Sequence, residues 1–339
     1  MQQSIADRAT PGWSSPINRW RQWSSDYPAF ISLATTFLLL LAIVLIFFLY
    51  NERYLSLRNI VIVLNQSAAY VILGVGMTFV ITTKGIDLSV GAMVAIIGTV
   101  VGLILVTFQL SVVLALAAAI ACGAVCGAFN GFCVAQLRVP PLIVTLGTMA
   151  LFRGIAYVAL GHQILFDFPQ EFLWIARGRI LGFAPAVYLA ALVVVLGYLI
   201  LNKTRLGQHV ISVGGNEEAA RLSGINVWRV KFVVYLIMGV LTALATVVWV
   251  ARLNSVQAAA AYGVEFHTIA LVVLGGTSLF GGRGLIIGSM MGALILAGLE
   301  NGLVLVGFSS FVQDVLLGLI FITVVAFRTL QFREGQVTR

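Results

Sequence analysis

The sequence contains long runs without charged side chains, and these runs restrict the folds open to the chain. Leu88 to Leu137 carries no Asp, Glu, Lys or Arg at all. A helix needs about 20 consecutive apolar residues to cross the hydrocarbon core of a bilayer, so this run is long enough for two crossings. Similar but shorter runs recur along the chain, which indicates an all-α polytopic membrane protein.

The composition agrees with a membrane location. Of the 339 residues, 60% are hydrophobic and only 9% are charged, whereas soluble domains carry about 25% charged residues. A soluble enzyme is therefore excluded. The net charge of +8 arises from basic residues in short segments between apolar runs. This placement predicts anchoring at the lipid bilayer rather than binding to nucleic acid.

The charge-free runs predict about ten crossings. The fourth is separated from the third by a turn near Gln109. The predicted spans are 27–51, 60–83, two within 88–137, 139–161, 180–202, 232–251, 266–282, 285–306 and 310–327.

The distribution of Lys and Arg predicts the orientation. With the N-terminus inside, most basic residues face the cytoplasm, as the positive-inside rule requires. The chain then divides into a cytoplasmic N-terminal tail (1–26), a transmembrane domain (27–327) and a cytoplasmic C-terminal tail (328–339). The transmembrane domain contains one large cytoplasmic segment, 203–231. We expect a location in the inner membrane of a bacterium.

An internal repeat is visible at an offset of 178 residues. The stretch from Gly85 to Thr99 matches Gly263 to Thr277, including an acidic residue at the third position of each, Asp87 and Glu265. The two copies begin on opposite sides of the membrane in the predicted topology. Inverted repeats of this kind are typical of alternating-access transporters. We expect Asp87 and Glu265 to cap the helices that follow them.

The cytoplasmic segment 203–231 contains the pattern of a short capped helix. Asn216 is a favourable N-cap, Glu217 and Glu218 suit the positive end of the helix dipole, and Gly224 is a suitable stop. A helix of about two turns is unstable alone in water, so it must pack on something. Either the same protein or a cytosolic partner provides that surface.

Four blocks of the sequence are distinctive. They are GIDLSVG at 85–91, PPLIVTLGTM at 140–149, VGGNEEAARLSGIN at 213–226 and VLGGTSLFGGRG at 273–284. Together these blocks resemble the permease subunits of bacterial ATP-binding-cassette (ABC) sugar importers of the ribose, arabinose and xylose type. The resemblance covers roughly 55–327. The chain differs from the family pattern at Lys84, where glycine is frequent.

This resemblance implies an assembly with three kinds of component. A cytosolic ATPase would bind ATP–Mg, a periplasmic binding protein would deliver a sugar, and a second permease copy would complete a homodimer. The chain itself would be no enzyme and would hold no cofactor. The coupling helix of the family, which contacts the ATPase, corresponds here to Gly215, Asn216, Glu217, Glu218, Ala219, Ala220, Arg221 and Gly224.

Polar residues within the crossings are candidates for the translocation path. A neutral sugar needs hydroxyl partners and no counter-charge, which suits a path with few charges. Each of these side chains could instead join helices by hydrogen bonds. Arg153 either lines the path or holds a neighbouring helix through carbonyl groups. The candidates are Asn65, Gln66, Asn130, Thr145, Thr148, Arg153 and Thr277.

Catalytic and metal-binding motifs are missing from the sequence. It contains no GxxxxGK[ST] phosphate loop, and its three histidines lie in separate segments, so we expect no metal site. Two alternatives to a sugar importer remain. The chain could be an ABC permease for a branched-chain amino acid or a nucleoside, or it could be a secondary transporter that needs no ATPase.

Overall fold

A computed structural model describes residues 28–309 and the short stretches 311–313, 315–316, 318–319 and 322–323. Both predicted cytoplasmic tails and half of the predicted tenth crossing lie outside these residues. The described chain is almost entirely helical, as the sequence predicts. Its only β-structure is a short antiparallel pair, β1 (Ile164–Phe166) with β2 (Ser255–Gln257), in which Leu165 lies opposite Val256.

Twelve α-helices form the described fold. A short 3-10 helix, Glu52–Leu55, separates the first two, and a π-helical turn, Leu103–Thr107, extends the third. In chain order the α-helices are α1 Pro28–Tyr50, α2 Leu57–Thr82, α3 Val90–Gly102, α4 Val112–Ala135, α5 Pro141–Leu160, α6 Gln170–Arg177, α7 Pro185–Lys203, α8 Arg205–Gly215, α9 Glu217–Leu222, α10 Val227–Leu253, α11 Val264–Leu274 and α12 Ile286–Val306.

Local sequence signals determine where several of these helices begin. Pro141 and Pro185 occupy the first helical positions of α5 and α7, where a missing N–H is harmless. The hydroxyls of Ser56 and Ser111 accept hydrogen bonds from the first turns of α2 and α4. Each of these helices therefore begins at a residue type that favours a helix start.

Eight of the described helices are long and apolar enough to cross a membrane. They correspond to the first seven predicted crossings and to the ninth. The predicted eighth crossing, 266–282, is different, because its helix α11 has only 11 residues. At 1.5 Å per residue α11 spans about 17 Å, roughly half the thickness of the hydrocarbon core. Glycines at 275–276 and 281–282 end the helical run after Leu274.

The core of the fold lies where α2, α3, α10, α11 and α12 meet. Side chains of α2 from Ile72 to Ile81 are almost all fully buried, and Tyr235 and Met238 of α10 are buried as well. Polar contacts also join α2 to α12, among them the buried amides of Asn59 and Asn301, which exchange hydrogen bonds of 2.8 and 3.0 Å. By contrast, α1 is mostly exposed, as expected for a helix surrounded by lipid.

Candidate functional site: the half-membrane helices and the cytoplasmic coupling segment

Two helices of the core are entered through non-helical backbone. Residues 85–89 lead from the end of α2 into α3, and residues 258–263 lead from β2 into α11. The first segment begins one copy of the sequence repeat, and Gly263, the last residue of the second segment, begins the other copy. Non-helical backbone at membrane depth is tolerated only where protein or a water-filled cavity satisfies its polar groups. The neighbours of these segments therefore matter for function.

The segment 85–89 is held by side chains from α4 and α5. Asp87 is fully buried, and its carboxylate accepts hydrogen bonds from the Ser89 amide (2.9 Å) and hydroxyl (2.6 Å). The Asn130 amide donates to the Ser89 hydroxyl (2.8 Å), and the Thr145 hydroxyl donates to the Ile86 carbonyl (3.1 Å). Ser89 rather than Asp87 occupies the N-cap position of α3, so Asp87 supports the helix start from two residues earlier.

Glu265 connects the two halves of the repeat. It is buried and lies in the first turn of α11, where one carboxylate oxygen accepts a hydrogen bond from the Gly263 amide (3.3 Å). Gly263, not Glu265, is therefore the N-cap residue. The other oxygen lies against Gly91 in the first turn of α3, so closely that a Cβ at Gly91 would overlap it. The N-terminal ends of α3 and α11 consequently meet inside the protein.

Arg153 fixes the segment that leads to Glu265. The side chain is buried in α5, and its guanidinium donates to the carbonyl oxygens of Ala258 (2.9 Å) and Ala260. It also lies over the ring of Tyr262, 4.0 Å from the ring centroid. This geometry corresponds to the second of the two sequence-based interpretations, in which Arg153 holds a neighbouring segment through carbonyl groups.

The remaining candidates for the path do not converge on one surface. Asn65 donates to the Ala176 carbonyl (2.8 Å), and Gln66 donates to the Glu300 carboxylate (2.8 Å). Thr148 donates to the Thr145 carbonyl (3.4 Å), and Thr277 accepts from the Leu285 amide (3.1 Å). The structure thus brings together only Asn130, Thr145 and Arg153, around the two non-helical segments.

The segment 203–231, which the sequence predicts to be cytoplasmic, forms two helices, α8 and α9. The sequence signals identify α9 correctly: the Asn216 side chain accepts from the Ala219 amide (3.0 Å), and Gly224 has the positive φ (+83°) of a helix stop. Helix α8 was not predicted. Its N-cap Thr204, which accepts from the Gly207 amide (3.3 Å), is a signal that could have identified it.

Helix α9 presents most of its surface to solvent. Ala220 is its one buried residue, whereas Leu222 is 78% exposed. Two ion pairs involve the acidic residues of α9. Glu218 pairs with Arg221 (2.5 Å), and Glu217 pairs with Lys231 (2.7 Å). The hydrogen bond from Arg221 lowers the pKa of Glu218, so this carboxylate stays ionised at neutral pH. The exposed face is charged, with one apolar side chain at its end.

The end of α8 packs directly on backbone that precedes the first copy of the repeat and on backbone that follows the second copy. Gly214 lies so close to the Thr82 carbonyl and the Gly282 amide that no side chain fits there. The Gly282 amide also donates to the Thr82 carbonyl (2.9 Å). Lys84 has a φ of +63° and donates from its ammonium to the Gly215 carbonyl (3.1 Å). A left-handed conformation favours glycine, which explains why glycine suits this position.

Within the part of the chain that the structure describes, no group of three or more His, Cys, Asp or Glu side chains could hold a metal ion. The hydrogen bonds described above join side chains to backbone groups and to one another, and one carboxylate oxygen each of Asp87 and Glu265 is buried without a hydrogen-bond partner in the described part of the chain. Among the described residues the arrangement contains no constellation of nucleophile, base and orienting group.

Comparison with known proteins identifies close relatives. Residues 59–325 match a family model described as "Branched-chain amino acid transport system / permease component". The chain is 40% identical to the ribose import permease protein of Escherichia coli over 84% of its length and 90% of the relative's. It is 41% identical to the corresponding protein of Bacillus subtilis, over 85% and 90%. Identity to the D-allose transport system permease protein of Escherichia coli is 35%, over 86% and 90%. No solved structure matches the chain.

Proposed function

The chain belongs to the family of transport-system permease components that its residues 59–325 match, and on that premise we propose that it is the membrane-spanning subunit of an ABC importer for a monosaccharide. The observation that carries the proposal is the 35–41% identity, over most of both chains, to permeases named for ribose and allose. A permease named for L-arabinose is 36% identical over 74% of the chain.

The chemistry of the interior suits a neutral cargo. Family membership alone would also allow a branched-chain amino acid. An amino acid zwitterion calls for a charged group or free helix end at the binding site. The buried carboxylates Asp87 and Glu265 bind local backbone amides, and Arg153 binds carbonyl groups and the Tyr262 ring. A sugar requires none of these charges as a counter-ion.

We infer that α9 is the coupling helix, which a partner ATPase grips on the cytoplasmic side. Its exposed charged surface and buried Ala220 support this role. The partner binds ATP–Mg and performs hydrolysis, and this chain contributes no catalytic group. Movement of α9 would reach the membrane interior through Gly214 and Lys84, because these residues contact the ends of α2 and the 281–284 loop.

We further propose that two copies of the chain form the transport path. Helix α5 exposes a stripe of small residues, Gly147, Ala150 and Gly154, and both glycines have open space around them. Small residues at this spacing allow membrane helices to approach closely. A periplasmic binding protein would dock on the outer face, and both termini would lie in the cytoplasm of the bacterial cell.

The test is reconstitution of the importer. The tagged chain is purified from its native membrane with its bound partners and placed in liposomes that contain the binding protein. Uptake of labelled D-ribose, D-allose, L-arabinose and L-leucine is then measured with and without ATP. We expect ATP-dependent uptake of at least one of the three sugars and none of L-leucine.

Two results would contradict the proposal in different ways. Uptake of L-leucine without any sugar would show that the cargo assignment is wrong. Sugar uptake driven by an ion gradient in liposomes that contain the chain alone would show a secondary transporter instead of an ABC subunit.

A further inference from the structure

Tyr262 is an exposed aromatic residue that lies inside the membrane. The polar groups around it could not face lipid favourably. It lies in the non-helical segment before α11, and 63% of its surface is exposed in the single chain. Its neighbour Arg153 lies in the second half of α5, about 10 Å from the end of that helix at Leu160. Ala261, next to Tyr262, has its carbonyl against Gly91 at the start of α3. Tyr262 is thus well inside the membrane.

The surroundings of Tyr262 are polar. The carbonyl groups of Ala258 and Ala260 accept from Arg153, and Tyr157 packs against the cluster that contains Ala258. Non-helical backbone and a guanidinium group do not face lipid hydrocarbon. The surface formed by Tyr157 and Tyr262 therefore faces either water or another protein surface. It borders the small-residue stripe of α5, which we assigned to the centre of the paired assembly.

One face of the Tyr262 ring is open to a ligand, and the other face is covered by Arg153. Arg153 covers the ring from one side at 4.0 Å and fixes its orientation, whereas the large exposed fraction leaves the other side open. A cation over one face of an aromatic ring holds it by electrostatic attraction to the ring quadrupole. A fixed, open aromatic face offers a binding surface for the C–H groups of a sugar ring, whose hydroxyls remain free to bind polar groups at the edge.

We propose that Tyr262 is the stacking surface on which a monosaccharide rests during translocation, with Arg153 as the residue that positions the ring. This inference rests on the proposed function, because it names the residue in that path that contacts the sugar. Tyr157 contributes a hydroxyl beside the ring. Asn65, Gln66 and Thr277, by contrast, bind other parts of the chain and do not border this surface.

The first test measures access of water to position 262. In a background with Cys122, Cys126 and Cys133 replaced by alanine, the Tyr262→Cys variant of the full importer is treated with a charged, membrane-impermeant methanethiosulfonate reagent. Such reagents modify thiolates, which form only in water. The matched control is Phe37→Cys, since Phe37 is 50% exposed on the lipid-surrounded helix α1. We expect modification at 262, none at 37, and modification slowed at least threefold by whichever sugar the unmodified importer transports.

The second test measures uptake. Tyr262→Phe keeps the ring and should stay within twofold of the unmodified protein. Tyr262→Leu removes the ring and should raise the sugar concentration for half-maximal uptake about tenfold, the effect of losing one aromatic contact. Phe37→Leu should have no effect on uptake. Membrane levels of each variant are compared by immunoblot, so that misfolding of Tyr262→Leu is recognised. If that variant misfolds, the labelling of Tyr262→Cys tests the inference instead.

Distinct outcomes would overturn this inference and the proposed function. If Tyr262→Cys is unreactive while Leu222→Cys on the exposed helix α9 is modified, the surface is not water-lined and the inference is wrong. Labelling that no transported sugar slows, together with normal uptake by Tyr262→Leu, also overturns it. If the unmodified importer transports none of the three sugars but Tyr262→Cys reacts, the proposed cargo fails although the surface lines an aqueous path.

Discussion

The carboxylate of Glu265, in the first turn of α11, lies against Gly91 in the first turn of α3, so the starts of the two half-repeats are in direct contact. Helix N-termini carry a partial positive charge, which a nearby carboxylate stabilises. The Glu265 side chain thus accepts a hydrogen bond at the start of its own helix, α11, and also lies against the start of α3.

The Gly91→Ala variant should be strongly destabilised. The added Cβ would overlap the Glu265 carboxylate and the Ala261 carbonyl, and overpacking of this kind costs about 1–3 kcal/mol. The measurement is thermal unfolding of the detergent-solubilised chain. Gly318→Ala is the control, because nothing lies within 4 Å of an added Cβ at that helical position and alanine favours a helix. Equal stability of the two variants would contradict the contact.

A second substitution tests whether Glu265 is the group that Gly91 must accommodate. In the Gly91→Ala/Glu265→Ala variant, the loss of stability should be smaller than the sum of the two single losses, since the overlapping side chain is gone. Contacting residues show interaction energies of about 0.5–3 kcal/mol in such double-mutant cycles. Strictly additive losses would indicate that the two residues do not touch.

Arg153→Lys should be a severe substitution despite the retained charge. A lysine ammonium cannot reproduce the planar guanidinium that donates to two carbonyl groups and stacks on Tyr262. We expect the free energy of unfolding to fall by about 1.5–3 kcal/mol, the contribution of one charged hydrogen bond. Hydrogen exchange in residues 258–263 should become faster. Arg177→Lys is the control, because the exposed Arg177 makes only a 3.4 Å contact with the Arg252 carbonyl. Unchanged exchange in 258–263 would be inconsistent with the assigned role.

Lys84→Gly should be more stable than Lys84→Ala. Both lose the bond to the Gly215 carbonyl, but only glycine adopts a φ of +63° without penalty, a difference of about 1 kcal/mol. At Gln208, an exposed position inside α8, the order should reverse because glycine is the poorer helix former by about 1 kcal/mol. Thermal unfolding of all four variants provides the comparison, and the same order at both positions would disprove the left-handed conformation at Lys84.

Glu217→Arg should abolish transport with little effect on folding. Glu217 is 55% exposed, whereas its partner Lys231 is only 17% exposed, so loss of this ion pair costs about 1 kcal/mol. The reversed charge alters the surface offered to the ATPase. We expect ATP-dependent sugar uptake to fall at least tenfold. Glu171→Arg, in the first turn of the short helix α6, is the matched control and should transport normally. Persistent uptake by Glu217→Arg with normal ATP dependence would refute the coupling role of α9.

Local signals in the sequence account for the parts of this structure that depend on nearby residues. Charge-free runs identify the eight long spans, and Asn216 and Gly224 mark the ends of α9. These features arise from hydrophobicity and capping, which act over a few residues. The short length of α11 was missed, because its glycines at 275–276 are as compatible with a kinked crossing as with a helix end.

Contacts between distant segments could not be predicted from single residues. The sequence places Arg153 inside a crossing but does not say which carbonyl groups it reaches, since Ala258 and Ala260 lie more than a hundred residues away. Likewise, Gly91 and Gly214 look like ordinary small residues of membrane helices until their neighbours are known. The repeat relates Asp87 to Glu265, yet only Glu265 lies against the opposite helix.

The absence of space for a side chain at Gly214 limits which segments can be exchanged between related permeases to make chimeras. Its neighbours, Thr82 and Gly282, belong to regions far apart in the chain, and all three backbones touch. A chimera that transplants only 203–231 from a relative with a bulkier residue at any of the three positions would fail to close this junction. Exchange of partner specificity therefore requires moving residues 82–84 and 281–284 together with the transplanted segment.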